Sequence, residues 1–166
     1  IAIKTFGKID ILVHCAGIRG TVGVPVVEGD EIEWRRIFDV NTIGCFIISK
    51  AVAREMIKRN KGGKIVHIAS VAGRIGAPGS AAYAASKWAT IGLVQSLALE
   101  LAPHKINVNA INPGFFPTNL RDAETKAQVE KKGVTIAEFK AEEYKTLDSR
   151  VPLGRMGKMD DISDLI

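Results

Sequence analysis

Tyr83 and Lys87 are the residues in this chain whose types and spacing could do chemistry at neutral pH. They stand four apart and open an apolar segment, Trp88 to Ala102, with no Pro and no charge before Glu100. That pattern predicts a helix, on which residues four apart share a face one turn apart. An ammonium beside a phenol favours the phenolate and draws the Tyr pKa down from about 10 towards neutrality. A Tyr tuned in this way gives or takes a proton near pH 7. Tyr-x-x-x-Lys also arises by chance at ordinary composition, so its meaning rests on the elements that must position it.

Those elements alternate along the chain. Ile9-Asp10-Ile11-Leu12-Val13 is a short apolar run that suits a strand buried on both faces, as in a parallel sheet. His14-Cys15-Ala16-Gly17 closes it, and small Ala16 and Gly17 would let a ligand approach the backbone, although an ordinary turn has the same composition. After a loop from Gly20 to Gly29, Asp30 can cap a helix that begins at Glu31. Asn41 falls inside the long helical pattern that continues to Met56. Asn is a poor interior helix residue, so it marks a kink, holds a water, or caps one of two consecutive helices. Gly62-Gly63 ends that helix. Lys64 to Ser70 reads as a second buried strand, with Ser70 at its carboxyl end and His67 a packed core histidine. Val71 to Ala82 is a loop that returns to Tyr83.

Beyond the Tyr83 helix, Pro103-His104 breaks the pattern and Ile106 to Ile111 forms a third strand. Asn112-Pro113-Gly114-Phe115-Phe116-Pro117-Thr118 is a loop at its carboxyl end. Leu120 to Leu147 is strongly charged and helix-prone with a break at Gly133, and Asp160-Asp161 opens a last helix. The order strand, helix, strand, helix, strand, helix predicts an α/β fold. This would be a doubly wound parallel sheet of Rossmann-like, three-layer α/β/α type, present in part. Ala16-Gly17, Ser70 and the Pro113 loop then share the carboxyl edge of the sheet, where open α/β sheets bind ligands. The start of the Tyr83 helix can reach that edge.

Composition bounds the remaining possibilities. The chain of 166 residues is about one domain, and its 46% apolar content can fill a core. The net charge of +5 is interleaved with acidic residues. The one basic cluster, Lys58-Arg59-Asn60-Lys61 with Lys64, reads as a solvated turn rather than a nucleic-acid site. Cys15 and Cys45 suggest no disulfide framework, and their spacing suits no metal site. No signal peptide and no membrane-spanning run of about 18 apolar residues is visible, so a reducing, cytoplasmic setting is expected. Ile1 to Phe6 reads as the end of a helix already under way and Asp164-Leu165-Ile166 as the inside of another, so both ends look cut.

With these residues in place the chain resembles the short-chain dehydrogenase/reductase family, in its single-domain form. Ser70, thirteen before Tyr83, matches the family's catalytic serine, and Asn41 in Val40-Asn41-Thr42 its fourth catalytic residue. His14-Cys15-Ala16-Gly17 is similar to the family's Asn-Asn-Ala-Gly turn beneath the cofactor, but His14-Cys15 replaces the amide pair. Asn112-Pro113-Gly114 to Thr118 resembles the loop at the nicotinamide end. The family's Gly-rich fingerprint and the residue that separates NAD from NADP would fall before Ile1.

The resemblance implies hydride transfer between NAD or NADP and a secondary alcohol or ketone. Tyr83 is then the acid/base and Lys87 tunes it and holds the nicotinamide ribose. Ser70 donates to the substrate oxygen, and Asn41 holds a water that relays protons to Lys87. Ala16, Gly17, Asn41, Tyr83, Lys87, Pro113, Gly114, Phe116 and Thr118 are the implied cofactor contacts, and no metal is implied. The polar stretch 119–150 is similar to that of members acting on polyols, sugars and small diols. It is expected to form a helical substrate lid inserted in the single domain spanning residues 1–166. Two alternatives stay open: a 3-oxoacyl carrier-protein reductase, and an idle relative that binds dinucleotide as a sensor or scaffold. The long helices carry apolar residues on more than one face. Phe46, Ile47, Leu97 and Leu101 are expected to be exposed in a monomer, which implies a dimer or tetramer.

Overall fold

The computed structural model describes residues 1–118, 129 and 133–166 of the chain. The chain divides into Ile1–Asn112, which carries the sheet, and Pro113–Ile166. In the first unit a short helix α1 (Ala2–Phe6) stops at Gly7, whose left-handed φ of 74° lets its amide reach back to the Ile3 carbonyl. Strand β1 (Ile11–His14) follows. Asp30 caps helix α2 (Glu31–Phe38) as its sequence position predicts, its carboxylate accepting from the Ile32 and Glu33 amides at 3.1 and 3.2 Å.

No break separates α2 from helix α3 (Gly44–Arg59); a π-helical turn, Asp39–Ile43, joins them. Asn41 sits in that turn, so of the roles open to it the structure has a distortion within a continuous helix rather than a cap. Helix α3 ends on Asn60, left-handed at φ 53°, and not on Gly62-Gly63 as expected. Gly63 already belongs to strand β2 (Gly63–Ile68). Nor is the basic turn simply solvated, because Arg59 ion-pairs with Asp10 and donates to the Gly62 carbonyl at 2.8 Å.

Helix α4 (Ala81–Leu101) begins two residues before Tyr83, and strand β3 (Ile106–Ile111) completes a three-stranded parallel sheet in the order β1-β2-β3. The register sets Val13 beside Val66 and His14 beside His67, then Val66 beside Asn109 and His67 beside Ala110. The fold is thus a parallel sheet with flanking helices, Rossmann-like and partial, as its alternating pattern predicts.

Period-two alternation along the strands chooses which side chains meet the helices. Ile65, His67, Ile106 and Val108 are buried, whereas Ile11 and Val13 on β1 are exposed in this chain. The core joins Ile65, Ile106 and Val108 of the sheet to Val52, Ala53 and Met56 of α3 and Val94 and Leu101 of α4. Leu101 is 7% exposed and Leu97 packs partly buried against the same cluster, which corrects the expectation that both face solvent. Phe46 and Ile47 are exposed, as expected.

In the second unit Thr135 and Glu138 form a reciprocal cap on helix α5 (Ile136–Asp148). Arg155 forks onto Asp161 at 2.8 and 3.2 Å ahead of helix α6 (Asp160–Ser163). Much of the expected lid, residues 119–128 and 130–132, lies outside the described residues. Among the described residues no helix is long and apolar enough to cross a membrane.

Met56, 1% exposed, is the largest side chain fully enclosed between α3 and the sheet. Met56→Ala should lower unfolding free energy by about 2–5 kcal/mol, the range for emptying such a site. A urea titration reads this as a lower midpoint at unchanged slope, and an unchanged midpoint would mean that the core is loosely packed there.

Candidate active site

Lys87 is the centre of the site. It is 5% exposed, and its ammonium donates to the Ile68 carbonyl at 3.0 Å, at the last residue of β2. Burial holds its pKa below the ordinary lysine value, since the charged form has lost most of its water. One turn earlier on α4 stands Tyr83, and Lys87 Nζ lies 5.7 Å from the centroid of its ring. The Arg19 guanidinium lies at the same distance from that ring, so two cations flank it. Tyr83, with Arg19, Thr21, Glu33, Trp34 and Ser80, also lines a small cavity of about 30 Å³, room for a water.

Ser70 comes two residues after Ile68 and caps the 3₁₀ turn Val71–Gly73, accepting from the Ala72 amide at 3.1 Å. That bond fixes the oxygen as acceptor and leaves the hydroxyl proton to be given elsewhere. Gly73 presses this turn onto α4. A Cβ at residue 73 would lie 2.7 Å from Ile91 Cδ1 and 2.8 Å from the Lys87 carbonyl oxygen. Only a residue without a side chain lets the turn bearing Ser70 and the helix bearing Lys87 come this close.

Asn41, 1% exposed, ties the loop after β1 to α4. Its Oδ1 accepts from the Ile18 amide and its Nδ2 donates to the Ile18 carbonyl, both at 2.8 Å. Nδ2 also donates to Ser86 Oγ at 2.9 Å, and Ser86 Oγ donates to the Tyr83 carbonyl at 2.7 Å. The side chain is thus a structural clasp between Ile18 and the turn of α4 that carries Tyr83. Gly17 lies inside this clasp, where a Cβ would stand 3.4 Å from both Asn41 Oδ1 and Lys87 Nζ. Its absence leaves an open cradle beside the ammonium at the exposed Ala16-Gly17 turn. Asn112, just past β3, has its Oδ1 buried with no hydrogen-bond partner among the described residues. The cradle beside a buried cation suits a hydroxylated group such as the ribose of a nicotinamide riboside. Pro113, Gly114, Phe116 and Thr118 follow β3 directly in the chain and belong to the second unit.

The sheet and α4 therefore bring Gly17, Asn41, Ser70, Tyr83 and Lys87 into one neighbourhood. Arg19, Ser86 and Gly73 carry no motif and were not predicted. Neither was the surrounding of Cys45, whose Sγ lies 3.3 Å from His14 Nδ1 and 3.2 Å from His67 Nδ1. Burial raises the Cys45 thiol pKa and pushes His67 down to about 4, with His14 also lowered by burial.

A parallel sheet whose carboxyl ends meet a Tyr and a buried Lys on one helix defines a dinucleotide-type α/β protein, and sequence similarity narrows this. The chain matches the short chain dehydrogenase family over residues 1–129. It is 37% identical over 164 residues to 3-oxoacyl-[acyl-carrier-protein] reductase FabG of Thermotoga maritima, covering 99% of this chain and 59% of that protein. It is 41% identical over 162 residues to galactitol 2-dehydrogenase of Agrobacterium fabrum, covering 98% of this chain and 61% of that protein. An NAD+-bound xylitol dehydrogenase structure superposes with a TM-score of 0.85 at 37% identity, covering 99% of this chain and 63% of that one. The chain belongs to the short-chain dehydrogenase family. It spans about three-fifths of the length of the curated relatives it matches.

Gly73→Ala should force the Ser70 turn off α4, because two of the three nearest atoms are backbone. The expected cost is about 1–3 kcal/mol, read by calorimetry as a fall in Tm of roughly 2–4 °C per kcal/mol. An unchanged Tm would show that the turn moves freely and does not set the position of Ser70.

Proposed function

We propose that the whole protein transfers a hydride between NAD or NADP and a secondary alcohol or ketone, with Tyr83 as the acid/base. The observation that carries this reading is the buried Lys87 ammonium, held by Ile68 at the end of β2 and set over the ring of Tyr83. Bound dinucleotide supplies hydride exchange. This chain's residues do the rest. Gly17 leaves the space beside Lys87 in which a ribose hydroxyl can meet the ammonium. Ala16, Pro113, Gly114, Phe116 and Thr118 are the further contacts the family resemblance supplies. Ser70 donates a hydrogen bond from its hydroxyl to the substrate oxygen and so stabilises charge that develops there. Tyr83 protonates the alkoxide on reduction and deprotonates the alcohol on oxidation. Asn41 holds the Ile18 loop and α4 in register, and its turn is the place for a proton-relaying water.

For the substrate we infer a small polyol, sugar or diol. Support comes from relatives named for galactitol and sorbitol and from the xylitol dehydrogenase structure. The second reading, a 3-oxoacyl carrier-protein reductase, is favoured by the Thermotoga maritima relative. Absorbance of reduced nicotinamide during turnover with a panel of polyols, diols and 3-oxoacyl thioesters separates the two. Turnover of the thioesters alone would overturn the polyol reading.

Tyr83→Phe keeps the ring and removes the hydroxyl. Turnover should fall at least about a hundredfold while dinucleotide affinity by fluorescence titration changes little. Wild-type turnover in this variant would remove Tyr83 from the mechanism.

Self-association belongs to the same proposal. Phe46 and Ile47 on α3 are 45% and 59% exposed, and Trp88 and Leu99 on α4 are exposed as well. Large apolar side chains left in water on two long helices favour pairing with a second copy, as a dimer or tetramer in a cytoplasmic setting. Light scattering at micromolar concentration should return a multiple of the protomer mass, and a monomer would contradict the proposal.

A further inference from the structure

His14 at the end of β1, His67 on β2 and Cys45 on α3 meet on the helix-covered side of the sheet. They are 22 to 53 residues apart in sequence, and no step of the hydride transfer uses them. His14 Nδ1, His67 Nδ1 and Cys45 Sγ form a nearly equilateral triangle with sides of 3.2, 3.3 and 3.4 Å. The centre of such a triangle lies about 1.9 Å from each corner, close to the roughly 2.0–2.3 Å of zinc–nitrogen and zinc–sulfur bonds. A cation slightly out of the plane would bond all three atoms without moving the backbone. His67 is oriented for this, since its Nε2 lies 2.8 Å from the buried Ser49 hydroxyl. With the proton on that nitrogen, Nδ1 presents its lone pair to the cluster, the arrangement that orients histidine ligands in metal sites.

We propose that His14, Cys45 and His67 bind one thiophilic d10 cation, Zn2+ or Cu+, through two imidazole nitrogens and a thiolate. Soft sulfur with two imidazoles selects this class over Mg2+ or Ca2+, which take oxygen ligands. Binding releases the Cys45 proton to solvent and changes no oxidation state. Among the described residues no fourth His, Cys, Asp or Glu joins the group, which favours three-coordinate Cu+ or a Zn2+ that keeps a water. The Cu+ complex would carry no net charge, an advantage in a buried place beside the Lys87 ammonium. Cys45 stands one turn beyond Asn41 on the same continuous helix, and His14 leads straight into the Ala16-Gly17 turn. The cation would therefore brace both elements that border Lys87.

The test is metal content of the whole protein after incubation with excess zinc sulfate, or with Cu+ without oxygen, followed by desalting. Elemental analysis should find about one equivalent in at least one arm, together with a rise in Tm. Cys45→Ser and His14→Asn should each lose the metal and the Tm rise, while Cys15→Ser keeps both. His14 is only half-buried, so His14→Asn remains informative if Cys45→Ser folds poorly. Absence of metal from the wild type in both arms, or its retention in His14→Asn and Cys45→Ser, would overturn the site and leave a hydrogen-bonded cluster.

Discussion

The buried ammonium of Lys87 is the constraint on which the rest of this structure depends. A charge nearly out of water loses several kcal/mol of hydration, and a hydrogen bond to a charged group returns about 1.5–3. The Ile68 carbonyl is the acceptor the structure offers. Lys87 therefore remains under-solvated, which its lowered pKa expresses. Such a residue lowers stability, and it persists where the surrounding packing fixes it. Here that packing is a long helix seated on the sheet through Val94 and Leu101, with a turn sealed against it at Gly73. An incoming ribose hydroxyl beside Gly17 would relieve the same deficit, so the cost of burying this cation and the affinity for a ligand share one origin.

The polar network around Asn41 answers a second constraint, that Tyr83 and Lys87 be held at a fixed height along the sheet edge. The π-helical turn loosens the ladder, and the Asn41 carbonyl accepts from Thr90 Oγ1 at 3.3 Å while Thr90 also bonds the Ser86 carbonyl. The clasp of Asn41 on Ile18 and Ser86 then links three segments through the buried Asn41 and Ser86 side chains and the half-buried Ile18 backbone. Buried networks of this kind are costly when incomplete and rigid when complete.

Local signals were legible in the sequence, and long-range ones were not. Tyr83 and Lys87 could be placed together because a four-residue step fixes one helix face. Ser70 and Gly17 could be placed at the sheet edge because short apolar runs mark where strands end, and Asp30 announced its cap by type alone. The orientation of α4 was hidden, since apolar residues surround that helix and its periodicity points nowhere. Leu97 and Leu101 accordingly turn to the core while Trp88 and Leu99 face out. Arg19 and Ser86 act through contacts made across the fold, which spacing along the chain does not encode. The same limit hid the histidine and cysteine cluster, whose members come from two strands and a helix.

That cluster also accounts for the chain's departure from its family's pattern. The Asn-Asn pair expected before Ala16-Gly17 is His14-Cys15, so the turn carries no side-chain amides of its own. The structure divides the task differently. Asn41 grips the loop after the turn through both polar groups of the Ile18 backbone. The His14 ring enters the sheet's helical side, edge-on to His67 with centroids 5.3 Å apart and with its Nδ1 against Cys45. One end of the turn is thus held by an amide clasp and the other by a packed imidazole. A substitution that looks disruptive in the linear pattern is compensated by partners on β2 and α3. Replacing His14 alone by Asn would shorten the side chain that now reaches Cys45 and His67, so the three residues form a unit whose members depend on one another.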